Sequence, residues 1–97
     1  MPIKVFIADD HAVFRSGLRA LLEKEPDLEV VGEAGTGQDT LKAVSEHEVD
    51  VLILDISMPG QTGPRIAESA LQKRPHLAIV VLTMHEDEYY MQELFKI

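Results

Sequence analysis

The sequence predicts an open α/β fold, a parallel sheet covered by helices on both faces. Three observations predict it. Short β-branched runs alternate with longer amphipathic stretches, the order reads βαβαβαβα, and the strand runs are apolar nearly throughout. Strands buried on both faces need continuous apolar character, and crossover helices supply the cover.

Each element has its own warrant. Ile3–Ala8 is an apolar run interrupted only by Lys4 and reads as a buried strand. Val13–Lys24 sets Phe14, Leu18, Leu21 and Leu22 at helical spacing and ends before Pro26. Leu28–Ala34 is a second strand, followed by the turn Gly35-Thr36-Gly37. A second helix from Gln38 to His47 carries Leu41 and Val44 inward. Val51–Leu54 is the most apolar run and is expected to be the central strand. Gly60 to Gly63 reads as a loop, and Pro64 sits near the start of a third helix, where its missing N–H costs little. Ala78–Leu82 is a fourth strand, and Tyr90, Met91, Leu94 and Phe95 mark the apolar face of a fourth helix.

Composition narrows the function classes. The chain has 97 residues, enough for one small domain, with 45% hydrophobic residues to build its core. No apolar run approaches the length of a membrane span, and the first residues lack the pattern of a signal peptide. Cys is absent, which removes disulfide and thiolate chemistry and fits an expected cytoplasmic location. The net charge of −8 repels phosphate backbones and anionic lipids, so cations and basic protein surfaces are the expected company.

In open α/β sheets the ligand site lies beyond the carboxyl ends of the strands. Those ends carry Asp9-Asp10, Gly35, Asp55 and Thr83. Taken singly, Asp10 reads as a helix cap, Asp55 as a turn residue and Thr83 as nothing in particular. Together they place three carboxylates and a hydroxyl along one edge, with Asp10 and Asp55 on adjacent strands. Like charges so placed need a cation, and all-oxygen ligands with room for water suit Mg²⁺. A carboxylate beside Mg²⁺ can attack a phosphoryl group and form an acyl phosphate, with the Thr83 hydroxyl available to a phosphoryl oxygen.

Ala8-Asp9-Asp10-His11, Arg15-x-Gly17-Leu18 with Leu21-Leu22, Asp55-Ile56-Ser57-Met58-Pro59-Gly60 and Val81-Leu82-Thr83 stand in register. With these motifs the whole chain resembles the receiver domain of bacterial two-component response regulators of the NarL/FixJ type. The resemblance implies a flavodoxin-like (CheY-like) sheet, with units one to four of an expected five βα units. It implies that Asp55 accepts a phosphoryl group from a sensor histidine kinase and that Thr83 is the switch hydroxyl. It also implies that Asp10 and Asp55 ligate Mg²⁺, with the Ser57 backbone carbonyl, and Asp9 directly or through water. A regulatory phosphoacceptor rather than a turnover enzyme is expected, acting on DNA only through an output domain outside residues 1–97.

The fifth unit would bring a lysine for the phosphoryl group, and no Lys of this sequence takes that role; Lys73 follows the third helix and Lys96 lies on the fourth. The expectation is one receiver domain over residues 1–97, incomplete at its C-terminus, with the fourth strand as an open edge suited to self-association. Two other readings stay open: an interaction module that is never phosphorylated, and a Mg²⁺-dependent phosphatase with an Asp nucleophile. The latter wants two Asp at alternate positions on one strand end, where this chain has Ile56-Ser57 after Asp55. His11 reads as a solvent-facing residue at a helix start, because Mg²⁺ disfavours nitrogen. His85-Glu86-Asp87-Glu88 reads as a capped helix start, Tyr89 and Tyr90 as one core and one surface residue, and Gly35-x-Gly37 as a turn.

Overall fold

A computed structural model describes residues 2–56, 58 and 63–82. Within them the chain runs β1 (Ile3–Ala8), α1 (Ala12–Glu23), β2 (Leu28–Ala34), α2 (Gly37–Glu46), β3 (Val51–Asp55), α3 (Gly63–Lys73) and β4 (Ala78–Leu82). All strand pairs are parallel, in the order β2-β1-β3-β4. The expected strands and helices recur within one residue at their ends, and Thr36 caps α2 by accepting from the Asp39 N–H at 3.1 Å. The expected fourth helix lies outside the described residues.

Side chains alternate across the sheet, so each strand feeds two cores. Phe6, Ala8, Leu52 and Leu54 join Val44 of α2 and Ile66, Ala67 and Ala70 of α3 in one buried cluster. Val5, Ile7 and Ile53, also buried, lie outside that cluster. α1 packs against β1 and β2. Fully burying a residue such as Leu52 or Leu54 contributes about 1.5–3 kcal/mol, so β3 anchors the sheet. The expectation that β3 is interior is met: it lies between β1 and β4.

Two expectations change. No residue of α1 is buried, and Leu21, one of its four apolar residues at helical spacing, is 62% exposed. Phe14, Leu18 and Leu22 are only half-buried. β2 is a mixed strand rather than an apolar one, because it stands at the sheet edge; the β1–β2 register shifts by one residue after Val5. β4 is the other edge among the described residues, with Val80 exposed.

The chain is tied at several loop ends. Arg74 donates from Nε to the Val44 carbonyl at 2.9 Å and from Nη2 to the His47 carbonyl at 3.0 Å, satisfying acceptors that the end of α2 leaves open. Glu33 of β2 accepts from Arg15 Nε at 2.9 Å and Arg19 Nη1 at 3.0 Å, which fastens α1 to the sheet edge. Hydrogen bonds from Arg15 and then Arg19 hold the Glu33 carboxyl below the usual carboxylate range. A depressed folded value means that this stabilisation is present above the unfolded value and disappears as pH falls through the folded one.

Two predictions follow from this packing. Glu33→Gln lowers the urea midpoint at neutral pH, and its gap from the unaltered protein narrows as pH falls below the ordinary carboxylate range. A gap of constant size across that range would show that the Arg15 and Arg19 pairs do not set it. A Cβ at Gly63 would lie 2.9 Å from the Ile56 Cα, whereas one at Gly17 meets nothing within 4 Å. Gly63→Ala is therefore expected to cost about 1–3 kcal/mol, and Gly17→Ala to stabilise by about 0.5–1 kcal/mol, both read from urea unfolding.

Candidate functional site: an acidic pocket at the strand ends

β1 and β3 are neighbours in register, with Ala8 opposite Leu54, so the residues that follow each strand meet at one edge. Asp55 is the last residue of β3 and is fully buried. Asp9 is 1% exposed and is held in place on two sides. Its N–H donates to the Ala34 carbonyl at 2.9 Å, carrying the β1–β2 ladder one step past the strand. Its own carbonyl accepts from Arg15 Nη1 at 2.5 Å. The Asp10 side chain is 30% exposed and faces the mouth of the pocket.

Ligand atoms of Asp9, Asp10, His11 and Asp55 all lie within 4.8 Å of one another. The structure thus brings together the three carboxylates expected from the sequence. Ser57 and Thr83, the other two expected site residues, lie outside the described residues. Thr83 follows Leu82, whose Cα partner across the sheet is Asp55. Met58, in the loop after β3, is buried in the main core.

His11 is a correction. Its side chain is 52% exposed, yet its ring turns into the pocket rather than away from it. Nδ1 lies 3.0 Å from Asp9 Oδ1, 3.1 Å from Asp10 Oδ1 and 3.7 Å from Asp55 Oδ2. The cause is local. His11 is the N-cap of α1 with an extended backbone; its N–H donates to Asp9 Oδ1 at 2.7 Å, and its ring Nδ1 lies 3.0 Å from the same oxygen. The cap position thus falls to His11 and not to Asp10, and the His11 side chain makes no capping bond. The Asp9 hydrogen bond, then the charge of Asp10, hold the imidazole above its ordinary range, with the charges of Asp9 and Asp55 adding to the effect.

Arg15 is the second residue whose part the sequence did not disclose. One helical turn beyond His11, it bridges the Asp9 carbonyl and Glu33. A Cβ at Gly35 would stand 3.1 Å from Arg15 Nη1, so glycine leaves the guanidinium its path across the end of β2. The available signal was the pairing of a basic residue on α1 with an acidic one on β2, which becomes legible only once those elements are known to touch.

The donor set suits a hard divalent cation. Asp9 Oδ2 is buried and has no hydrogen-bond partner among the described residues, a state costly for a carboxylate oxygen unless a cation answers it. Carboxylates from two strand ends, one of them reaching solvent, provide oxygen ligands and leave room for water, as Mg²⁺ requires. No helix among the described residues is long and apolar enough to cross a membrane.

Comparison with known proteins agrees with this geometry. The oxygen regulatory protein NreC of Staphylococcus epidermidis is 42% identical over 95 residues, covering 97% of this chain and 44% of NreC. The transcriptional regulatory protein DegU of Brevibacillus brevis is 34% identical over 94 residues, covering 97% of this chain and 40% of DegU. The chain therefore spans less than half the length of these relatives. The isolated REC domain of RcsB from Salmonella enterica serovar Typhimurium, solved in the presence of phosphomimetic BeF₃⁻, superposes with a TM-score of 0.90. It shares 30% identity, with 99% of this chain and 72% of that one covered. The four-stranded parallel sheet with its helices is accordingly a CheY-like receiver fold. The family profile of the response regulator receiver domain matches residues 5–97. On sheet, pocket and sequence together, this chain belongs to the response regulator receiver domains of two-component signal transduction.

Proposed function

We propose that Asp55 is the phosphoacceptor of this receiver domain and that Asp9, Asp10 and Asp55 hold the Mg²⁺ its reaction requires. The observation that carries this reading is the meeting of three carboxylates within one 4.8 Å cluster, two of them almost wholly buried. An Asp55 oxygen attacks the phosphorus of a kinase phosphohistidine. A P–O bond forms as the P–N bond breaks, and the departing imidazole takes up a proton. Mg²⁺ in the pocket would supply positive charge against the phosphoryl oxygens. The Asp9 backbone, held by Ala34 and Arg15, keeps the pocket in shape throughout. The Ser57 carbonyl as a further ligand and the Thr83 hydroxyl as the switch belong to the same proposal. The acyl phosphate forms and hydrolyses on the domain itself, without turnover of an outside substrate.

In a longer protein, residues 1–97 act as the receiver domain and a separate output domain binds DNA, in a cytoplasmic setting with a sensor histidine kinase as phosphodonor. The names of DegU and NreC as regulatory proteins, and their greater length, support this. Association of two copies through the open β4 edge is part of the reading.

Two experiments test the proposal. Incubation with acetyl phosphate and Mg²⁺ is expected to add one phosphoryl group, stable to acid and labile to base, and Asp55→Ala abolishes it in the mass spectrum. An adduct that persists in Asp55→Ala would move the acceptor elsewhere. Asp9→Asn keeps an oxygen for the His11 N–H but removes one of three like charges. It is expected to raise stability in chelator by about 1 kcal/mol and to blunt the Mg²⁺-dependent rise in thermal midpoint. An unchanged Mg²⁺ response in Asp9→Asn would remove Asp9 from the ligand set.

A further inference from the structure

β2 supplies none of the carboxylates of the pocket, yet its end reaches them through Arg15 of α1. Arg15 Nη1 donates to the Asp9 carbonyl at 2.5 Å, and Nε donates to Glu33 Oε1 at 2.9 Å. A planar guanidinium with donors engaged on two partners is fixed in place and in plane. The oxygen it grips belongs to the peptide that joins Asp9 to Asp10, and that unit turns as one rigid plane. Asp9 is anchored separately, by its N–H to the Ala34 carbonyl and by its Oδ1 to the His11 N–H. Turning the plane would therefore swing Asp10, whose side chain is 30% exposed at the mouth of the pocket. Gly35 bounds the guanidinium independently. A Cβ there would stand 3.1 Å from Arg15 Nη1, while Asp10 Cα and the Asp9 carbonyl oxygen lie at an ordinary 3.8 Å. The Gly35 backbone has no positive φ, so what glycine provides is space for the guanidinium. Arg19 donates to Glu33 at 3.0 Å and to Glu23 at 2.7 Å. Arg15 and Arg19 are thus matched by Glu23 and Glu33, which leaves no surplus positive charge to compete with a cation.

We propose that Arg15 is a positioning residue of the phosphoacceptor site, and that Glu33 and Gly35 at the end of β2 set its Mg²⁺ affinity through Arg15. This rests on the reading that Asp9, Asp10 and Asp55 hold Mg²⁺. Arg15 grips a backbone carbonyl and Glu33, and none of the three carboxylates. It acts by presetting the Asp9-Asp10 turn before the ion arrives. Mg²⁺ demands near-octahedral geometry at short distances, so a turn free to rotate costs affinity. A strand that carries no ligand thereby governs how tightly the ligands of its neighbour bind.

The test titrates Mg²⁺ by calorimetry into the unaltered protein, Arg15→Ala, Arg15→Lys, Gly35→Ala and the Arg15→Ala, Gly35→Ala double variant. Arg15→Ala is expected to weaken Mg²⁺ binding about tenfold, and Arg15→Lys nearly as much, because one ammonium cannot bridge both partners. Gly35→Ala is expected to weaken it about threefold alone and not at all beside Arg15→Ala, since its effect passes through the guanidinium. Without Mg²⁺, the ¹⁵N shift of the Asp10 amide, which reports the hydrogen bond at the Asp9 carbonyl, moves in every variant. With acetyl phosphate, the Mg²⁺ concentration for half-maximal labelling of Asp55 rises by the same factors as the affinity falls. A merely structural Arg15 would lower the Mg²⁺-free thermal midpoint and leave Mg²⁺ affinity where it was, and that result overturns the proposal. So does a Gly35→Ala effect that persists in full beside Arg15→Ala. If Arg15→Ala does not fold, Arg15→Lys and Gly35→Ala decide, and unchanged Mg²⁺ affinity in both overturns it. Absence of Mg²⁺ binding by the unaltered protein, or labelling that survives Asp55→Ala, instead overturns the phosphoacceptor reading beneath.

Discussion

Three carboxylates share one pocket at the carboxyl ends of β1 and β3, and two of them are almost wholly removed from water. Carboxylates so confined repel one another and lose part of their hydration, which a bound cation would offset. The surrounding architecture holds them there nonetheless. Asp55 is the last paired residue of a strand whose Leu52 and Leu54 are fully buried, and Asp9 continues the ladder of β1 beyond its last strand residue. Moving either carboxylate out would break the sheet that carries both.

The acidic turn is supported from the other side of β1 by Arg15, Arg19 and Glu33. Arg15 reaches the Asp9 carbonyl, and Glu33 steadies Arg15 and Arg19 together. Arg15 therefore orients the acidic turn through its backbone without cancelling the charge of its carboxylates. That distinction matters for a site meant to take a cation, since a guanidinium paired directly with Asp9 would compete with it. His11 stands differently. Its ring nitrogen faces all three carboxylates, so protonated it serves as a resident counter-ion and neutral it offers a lone pair.

The helices divide the work unevenly. α2 and α3 close the main core, with Val44, Ile66 and Ala70 fully buried, whereas α1 lies on the sheet without a single buried residue. The helix that presents His11 and Arg15 to the pocket thus combines half-buried apolar residues with the Arg15 and Arg19 pairs to Glu33. Gly63 packs so closely on Ile56, directly after Asp55, that a Cβ there would stand 2.9 Å from the Ile56 Cα.

Much of this was legible in the residues themselves. Apolar runs of strand length separated by amphipathic stretches determine a parallel α/β sheet, because few other arrangements bury such strands on both faces. Asp9, Asp10 and Asp55 were legible as a site because strand ends in such sheets converge on one edge. What the linear order did not disclose depends on side-chain direction and on contacts between distant elements. Helical spacing marks a face of α1 without showing how deeply it sinks, and Leu21 on that face is exposed. The same limit hid Arg15, whose partners Asp9 and Glu33 lie on two different strands. Only the tertiary structure turned His11 inward, because its backbone N–H and ring Nδ1 can both reach Asp9 Oδ1 only once β1 ends and α1 begins at that angle.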